Sequence, residues 1–405
     1  MVKIKKKKIL LIHRFFYPDS APYATILEDM RNLFKANGYA VDVLSSQPSY
    51  KAIDKSKKEK IVTVQEDGST IYRLPVFKLK YIKLEKLLNF FWFPVSSLFF
   101  LIFIRKYDVI TVSTAPQVFL AFLTALVSKL KGSKLVYHCL DIHPEIGKIS
   151  GEFKNEFIFS ALRSLDNYTC KVATKIVVLS DDMKNAILNR NKDLINKITI
   201  INNYDLSLGK KSNNIFFKDN EDIKRVVFTG NIGRFQNLDS FILAIKNNKK
   251  LENFELVFVG DGVALDGLKH LSASISDSVK FIPHQSIAVA RGIISEADFG
   301  LVSLRSDVIK YAYPSKTMTY LSEGVPIIVS VDISSEIANF VKSEKIGLLV
   351  EPNDINKIYQ IFKQVSAGTL EFDRNHVKKV FNDKMSKKQF DKKFNKLIKE
   401  IIEEN

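Results

Sequence analysis

The sequence predicts an α/β protein of two doubly wound parallel-sheet domains, and three observations carry that expectation. Short apolar runs such as Ile9–Ile12, Val109–Val112 and Phe299–Val302 lack the alternation of half-exposed strands and suit strands covered on both faces. Each is followed by a helix-period segment, and this strand–helix rhythm repeats in two successive series. Between the series lies 203–223, NYDLSLGKKSNNIFFKDNEDI, polar and without periodicity, which reads as an interdomain linker.

Size and composition agree. At 405 residues, 46% apolar and 26% charged, the chain has material for two or three well-cored domains. Cys139 and Cys170 show neither CxxC nor metal-ligand spacing, and the six histidines form no HExxH-like pattern. A reducing cytosol is therefore the expected compartment, and no metal site is expected. The net charge of +17 is uneven: residues 1–150 hold 24 Lys and Arg against 12 Asp and Glu, the remainder 37 against 32. A basic N-terminal half suits an anionic membrane surface, an anionic substrate or nucleic acid. Nucleic acid ranks last. It would interleave aromatics with basic residues, whereas the aromatics here gather in an uncharged run.

In the first series a basic lead-in gives way to the strand Ile9–Ile12, whose four apolar residues are too few for the core of a signal peptide. The loop Phe15–Tyr23, an amphipathic helix over Ile26–Lys35 ended by Asn37-Gly38, and a strand from Ala40 to Leu44 complete a βαβ unit. Ligands of such sheets bind at the carboxyl ends of strands, which marks Asp19, Ser20 and Tyr23; the lack of GxGxxG there speaks against a nicotinamide or flavin enzyme.

Residues 51–60 form a basic excursion, and Lys78, Lys80, Lys83 and Lys86 lead into Leu87–Ile104, which carries no charge. That stretch suits a buried helix, a membrane anchor or a segment lying in the membrane interface. Pro94, Asn89 and Ser96-Ser97 argue against a simple span, and Phe90, Phe91, Trp92 and Phe93 beside the lysines favour the interfacial placement.

A strand over Val109–Val112, a helix over Val118–Lys129 and a strand over Lys134–Tyr137 follow. The next loop, His138-Cys-Leu-Asp-Ile-His-Pro-Glu145, sets His138, Asp141, His143 and Glu145 at a strand's carboxyl end, as a polar turn capping a helix or as a site. A helix over Glu152–Lys171, a strand over Lys175–Leu179, a helix capped by Ser180 and a strand over Ile198–Ile201 close the series.

The second series runs through strands at Arg225–Phe228, Phe254–Val259, Val279–Ile282 and Phe299–Val302, with helices at Leu238–Asn247, Ala264–His270 and Ala288–Glu296. It culminates in Tyr313-Pro-Ser-Lys-Thr-Met-Thr-Tyr-Leu-Ser-Glu-Gly324 and the strand Val325–Val331. Ser315 is placed as an N-cap, Gly324 as the residue after the helix, and Pro326 as a stop. Lys316 beside the N–H groups of the first turn makes an anion site, with phosphate or diphosphate as the natural anion; the plain alternative is an ordinary αβ unit with a solvated lysine. From Ser386 onward an amphipathic helix sets Phe390, Phe394, Leu397, Ile401 and Ile402 on one side.

The pieces FFYPDSAP (15–22), DIHPE (141–145), FTGNIGRFQNLDSFILA (228–244), FVGDG (258–262), ADFGLVSL (297–304) and PSKTMTYLSEGVPII (314–328) occur in this order. Together they resemble the retaining, nucleotide-sugar-dependent glycosyltransferases of family 4, and within them the bacterial surface-polysaccharide branch of O-antigen, capsule and colanic-acid type. The resemblance implies the GT-B fold, two Rossmann-like domains facing across a cleft. It implies an acceptor-binding, membrane-associating domain over 1–205, a donor-binding domain over 206–385, and a helix over 386–405 returning to the N-terminal domain.

The implied activity is a metal-independent hexosyl or N-acetylhexosaminyl transfer that needs no cofactor. The implied partners are a UDP-sugar donor, an N-acetylated amino sugar among the candidates, and a lipid-diphosphate-linked saccharide acceptor at the cytoplasmic face of the plasma membrane. Gly230, Asn231, Gly233, Arg234 and Gln236, with Tyr313, Ser315 and Lys316, fall where the donor diphosphate is held, and Pro283 and His284 where the base is read. Asp141 and Glu145 are the candidate sugar-facing groups beside Lys316; His138, His143, Asp19, Ser20 and Tyr23 line the acceptor side. The departing phosphate is expected to take the acceptor proton, so no dedicated base is assigned. Departures stand beside these matches. Thr319 and Tyr311 replace two glutamates of many members, Asn231 and Gln236 replace the usual Arg and Lys, and Ser20-Ala21-Pro22 replaces Gly-Gly. The missing glutamates keep a non-catalytic GT-B scaffold in view, and an epimerase or phosphorylase on the same fold is the other alternative.

Overall fold

The computed structural model describes residues 6–49, 59–104, 106–116, 118–152, 155–207, 216–217 and 222–403, leaving aside the side chains of residues 82 and 83. The expectations for Lys83 and for 51–58 lie outside these described residues. The chain divides into two compact units, Met1–Asn202 with Phe390–Asn405, and Asn203–Gln389.

The first unit begins with β1 (Lys8–Ile12), α1 (Pro22–Ala36), β2 (Ala40–Ser46), β3 (Val62–Val64), β4 (Thr70–Leu74) and α2 (Ile82–Phe103). It continues with β5 (Val109–Ser113), α3 (Phe119–Lys131), β6 (Lys134–His138), α4 (Glu145–Ser150), α5 (Glu156–Val172), β7 (Lys175–Val178), α6 (Asp181–Arg190) and β8 (Ile198–Ile200). The sheet order is β3-β4-β2-β1-β5-β6-β7-β8, parallel except where β3 pairs antiparallel with β4. The β3–β4 hairpin was not expected from periodicity; the turn at Asp67-Gly68 is its one local signal.

Helix α2 explains the uncharged stretch. Asn89, Phe93, Ser97 and Leu101, spaced by four, are buried, while Leu84, Leu87, Phe91, Val95, Phe99 and Ile102 are exposed on the other side. Two expectations change here. Phe93 is fully buried and belongs to the core, because its spacing places it on the inner stripe. Trp92 is turned back on its own chain: its Nε1 donates to Pro75 O at 3.0 Å and its ring meets Phe77 at 5.2 Å. Asn89 clamps the same strap, accepting from Phe77 N at 2.8 Å and donating to Phe77 O at 2.9 Å. Among the described residues, Leu84–Phe103 is the one helical segment long and apolar enough to cross a membrane by length and composition.

The second unit contains β9 (Lys224–Thr229), α7 (Asp239–Lys246), β10 (Phe254–Val259), α8 (Leu265–Leu271), β11 (Val279–Ile282), α9 (Ile287–Glu296) and β12 (Phe299–Ser303). It goes on through α10 (Lys316–Ser322), β13 (Ile327–Ser330), α11 (Glu336–Glu344), β14 (Gly347–Val350), α12 (Ile355–Ser366) and α13 (Arg374–Lys384). The last helix, α14 (Lys387–Glu403), ends the chain, and its Phe394 packs in the first unit against Phe34 and His138 at ring distances of 6.4 and 5.4 Å. Its six-stranded sheet is parallel, ordered β11-β10-β9-β12-β13-β14, over a core containing Phe228, Phe241, Phe254, Phe258 and Phe362. Together the two sheets form an α/β protein of two Rossmann-like units.

The linker reading of 203–223 needs correction at its start. Asp205 is buried in the second unit, where Arg291 pairs with it and Ser322 donates to it at 2.5 Å. Burial alone would raise Asp205, but hydrogen bonds from Ser207, Ser322 and Arg291 hold it below the usual carboxylate range.

Candidate functional site

In the second unit the carboxyl ends of β9, β10 and β11 are stitched together: Gly230 N donates to Val259 O at 2.8 Å, and Gly260 N to Ile282 O at 3.0 Å. Ile232 N donates to Asp261 O at 2.9 Å, and Ala264 N to Ile232 O at 3.1 Å. Backbone lies against backbone here, so a Cβ on Gly260 would overlap Gly230 O and one on Gly262 would overlap Ile232 O. Glycine is dictated by this close approach.

Lys316 enters the same edge. Its Nζ lies 4.0 Å from the Phe228 ring centroid, and a Cβ on Gly230 would come within 3.1 Å of its Cε. Burial lowers this ammonium to about 7. Tyr320, one turn along α10, sets the position of the helix: its hydroxyl accepts from Thr229 N at 2.9 Å and meets Thr229 Oγ1 at 3.2 Å. Beyond Gly260 opens a cavity of about 330 Å³ lined by Asp261, Lys269, Phe281, Pro283 and His284. A desolvated lysine beside a bare glycine edge suits a diphosphate, and an apolar-floored cavity with polar rims suits a base.

The other donor-side expectations divide. Asn231 and Arg234 are exposed at the loop, with their side chains open to a ligand. Gln236 is occupied, its Oε1 accepting from Gly233 N at 3.0 Å. Tyr313 is half-buried just before α10, and His284 is exposed. Ser315 does not cap the helix by its side chain. The first turn is tightened instead: Thr317 N donates to Pro314 O at 3.1 Å and Met318 N to Ser315 O at 3.2 Å. Gly324 does end the helix in the left-handed region at φ 72°, where a Cβ would meet Arg374 O at 2.5 Å. Thr319, which stands where many family members carry a glutamate, donates to Asp205 Oδ1 at 3.3 Å. That bond draws its hydroxyl into the Asp205–Arg291 network.

The first unit corrects more. Glu145 is not available as a catalytic carboxylate: both oxygens accept from Arg190, whose Nη1 also pairs with Asp166 and whose Nη2 donates to His143 O at 3.1 Å. Tyr137 completes the clamp, donating to Asp166 at 2.6 Å. Tyr23 and His138 are core residues bonded to each other at 2.7 Å, and burial lowers His138 to about 3. His143 is buried and lowered to about 4 by burial first and Arg190 second. Asp19 is buried and accepts from Ser49 N at 2.9 Å, while Ser20 is exposed. Asp141, three residues after β6, is half-buried and raised to about 6 by burial. Sequence reasoning missed Arg190, Tyr320 and Asp205, whose partners Glu145, Thr229 and Arg291 lie 45, 91 and 86 residues away in the chain.

Residues 223–367 match the family model described as Glycosyl transferases group 1. An uncharacterised glycosyltransferase of Methanocaldococcus jannaschii is 23% identical over 98% of this chain and 100% of its own length. Sucrose-phosphate synthase from Thermosynechococcus elongatus superposes with a TM-score of 0.74 at 15% identity, covering 99% of this chain and 100% of that one. Anabaena HepE, solved with UDP-glucose, gives a TM-score of 0.65 at 13% identity over 97% and 99% of the two chains. The structural likenesses show the GT-B fold. With the family match and the full-length relative, they support a glycosyltransferase.

Proposed function

We propose that the protein is a retaining glycosyltransferase of the family-4 surface-polysaccharide type, moving a sugar from a UDP-sugar to a lipid-diphosphate-linked saccharide. One observation carries this reading: the half-buried Lys316 holds its ammonium over the Phe228 ring and beside Gly230, at the edge that also bears the base-sized cavity. As the bond from the anomeric carbon to the donor diphosphate breaks, its electron pair goes to the leaving oxygen, and Lys316 stabilises that charge without reorganising. The acceptor hydroxyl attacks from the same face and the leaving phosphate takes its proton. Lys316 supplies the positive charge, so the reaction proceeds without a metal ion and survives chelation by EDTA.

The exposed stripe of α2, with Lys78, Lys80 and Lys86 beside it, supports peripheral attachment to an anionic cytoplasmic membrane face. Thermal unfolding with UDP, GDP, ADP and CMP tests the donor class. A nucleotide at about 100 times its dissociation constant adds about 2.7 kcal/mol to the folded state. A rise in Tm with UDP that disappears in Lys316→Ala supports the transferase. Tyr311 and Thr319 in place of glutamates favour the scaffold as second reading, which gains if no nucleotide raises Tm.

A further inference from the structure

Two arginines at the carboxyl edge of the first unit's sheet play no part in the donor chemistry. Arg73, on β4, is only 4% exposed, yet among the described residues its Nε and Nη1 have no hydrogen-bond partner; Nη2 donates to Tyr17 O. Arg14, just after β1, has a buried Nε that likewise finds no partner among the described residues, on a side chain that is otherwise partly exposed. The end of β2 holds the two in place. Ser46 N and the Ser45 and Ser46 hydroxyls donate to Arg14 O at 3.0, 2.9 and 2.8 Å, and Ser45 is the register partner of Arg73. The guanidinium carbons lie 5.1 Å from the Phe15 ring and 5.8 Å from the Phe16 ring.

Burying guanidinium nitrogens without partners is costly, and a folded chain retains them where another group completes them. The carboxylates facing the pair are Asp19, Glu59 and Glu85. Among the described residues none of these is hydrogen-bonded to either guanidinium: Asp19 accepts from Ser49 N, and Glu85 from Leu79 N at 2.8 Å. From Arg73 the chain runs directly into the strap that Trp92 and Asn89 bind to α2. The two cations therefore stand beside the strap that packs on α2, and the partly exposed Arg14 faces Glu85 of that helix.

We propose that Arg14 and Arg73 form the anion-binding site of the first unit, and that its ligand is the diphosphate group of a lipid-linked acceptor whose lipid chain follows α2. This rests on the transferase reading above. Trp92 is the only tryptophan and sits on the strap two residues beyond Arg73 in contact with Pro75, so its fluorescence reports on the site.

With the full chain saturated with UDP, farnesyl diphosphate should produce a saturable change in that fluorescence. Arg73→Gln and Arg14→Gln should each weaken it by about tenfold or more. Arg14→Gln, at a partly exposed residue, carries the test if Arg73→Gln does not fold. Binding to phosphatidylcholine vesicles with and without phosphatidylglycerol should be the same in Arg14→Gln as in the parent. Equal farnesyl diphosphate affinity in the arginine variants overturns the site, as does a loss confined to phosphatidylglycerol vesicles, which makes it a headgroup site. UDP protection in the same samples separates the two readings: if it persists while the arginines prove irrelevant, the transferase stands and this site falls; if it is absent, both fall.

Discussion

Both units place their candidate chemistry at the carboxyl edge of a parallel sheet, but they build it from different materials. The second unit uses backbone: glycines at 230, 260 and 262 let three loops touch, and a single lysine supplies the charge. The first unit uses side chains, and most polar ones in its edge loops are already engaged. Glu145 is held by Arg190, His138 by Tyr23 and Asp19 by Ser49 N. A site made of backbone leaves glycine and proline in the sequence as its trace. A polar side chain at the same topological position can equally be a ligand group or half of a buried pair, and its distant partner decides which.

Four substitutions or conditions would break or sharpen this contrast. The largest effect is expected at Arg190→Met, which strands Glu145 and Asp166 in the interior and should cost about 3–5 kcal/mol by chemical denaturation; a small loss would release Glu145 for chemistry. Next, Lys316→Ala should lower transfer by about 10²–10³ with the fold retained by circular dichroism, as read by initial rates. An unaffected rate would return Lys316 to the solvated surface.

Third, replacing exposed Phe91 and Phe99 by Glu should reduce vesicle partitioning by about tenfold or more without unfolding, whereas a change at buried Phe93 should unfold the chain. The smallest effect concerns protons. Lys316 is lowered from 10.5 to about 7, so above pH 7 binding of a diphosphate must take up a proton. UDP affinity should then fall by at most about tenfold per pH unit, read calorimetrically in buffers of different ionisation heat. The ligand-free fold should move the opposite way. Between 7 and 10.5 the unfolded lysine holds the proton that the folded one has lost, so stability rises with pH, and Lys316→Met should flatten that slope.

The sheet topology was largely legible because buried parallel strands and their helices repeat a pattern short enough to see locally. The glycine-and-lysine edge of the second unit was legible for the same reason: Gly230, Gly260, Gly324 and Lys316 each lie within a few residues of a strand or helix end. Thr319 was not, since Asp205 comes to it from 114 residues away. Nor was α2 fully legible. Its mean character was apolar, but only the four-residue spacing of Asn89, Phe93, Ser97 and Leu101 separates inner from outer faces. The arginine pair had no local signal, since Arg14 and Arg73 become neighbours only through β2.

The contact between Gly300 and Tyr320 has an evolutionary consequence. A side chain at 300 would collide with the Tyr320 ring, so a descendant of this chain can fill position 300 only if position 320 shrinks as well. Such a paired change would remove the hydroxyl that accepts from Thr229 N and leave that N–H without its partner. The two positions are thus barred from drifting independently, and any lineage that crosses this barrier must find another way to tie the helix bearing Lys316 to the strand before Gly230.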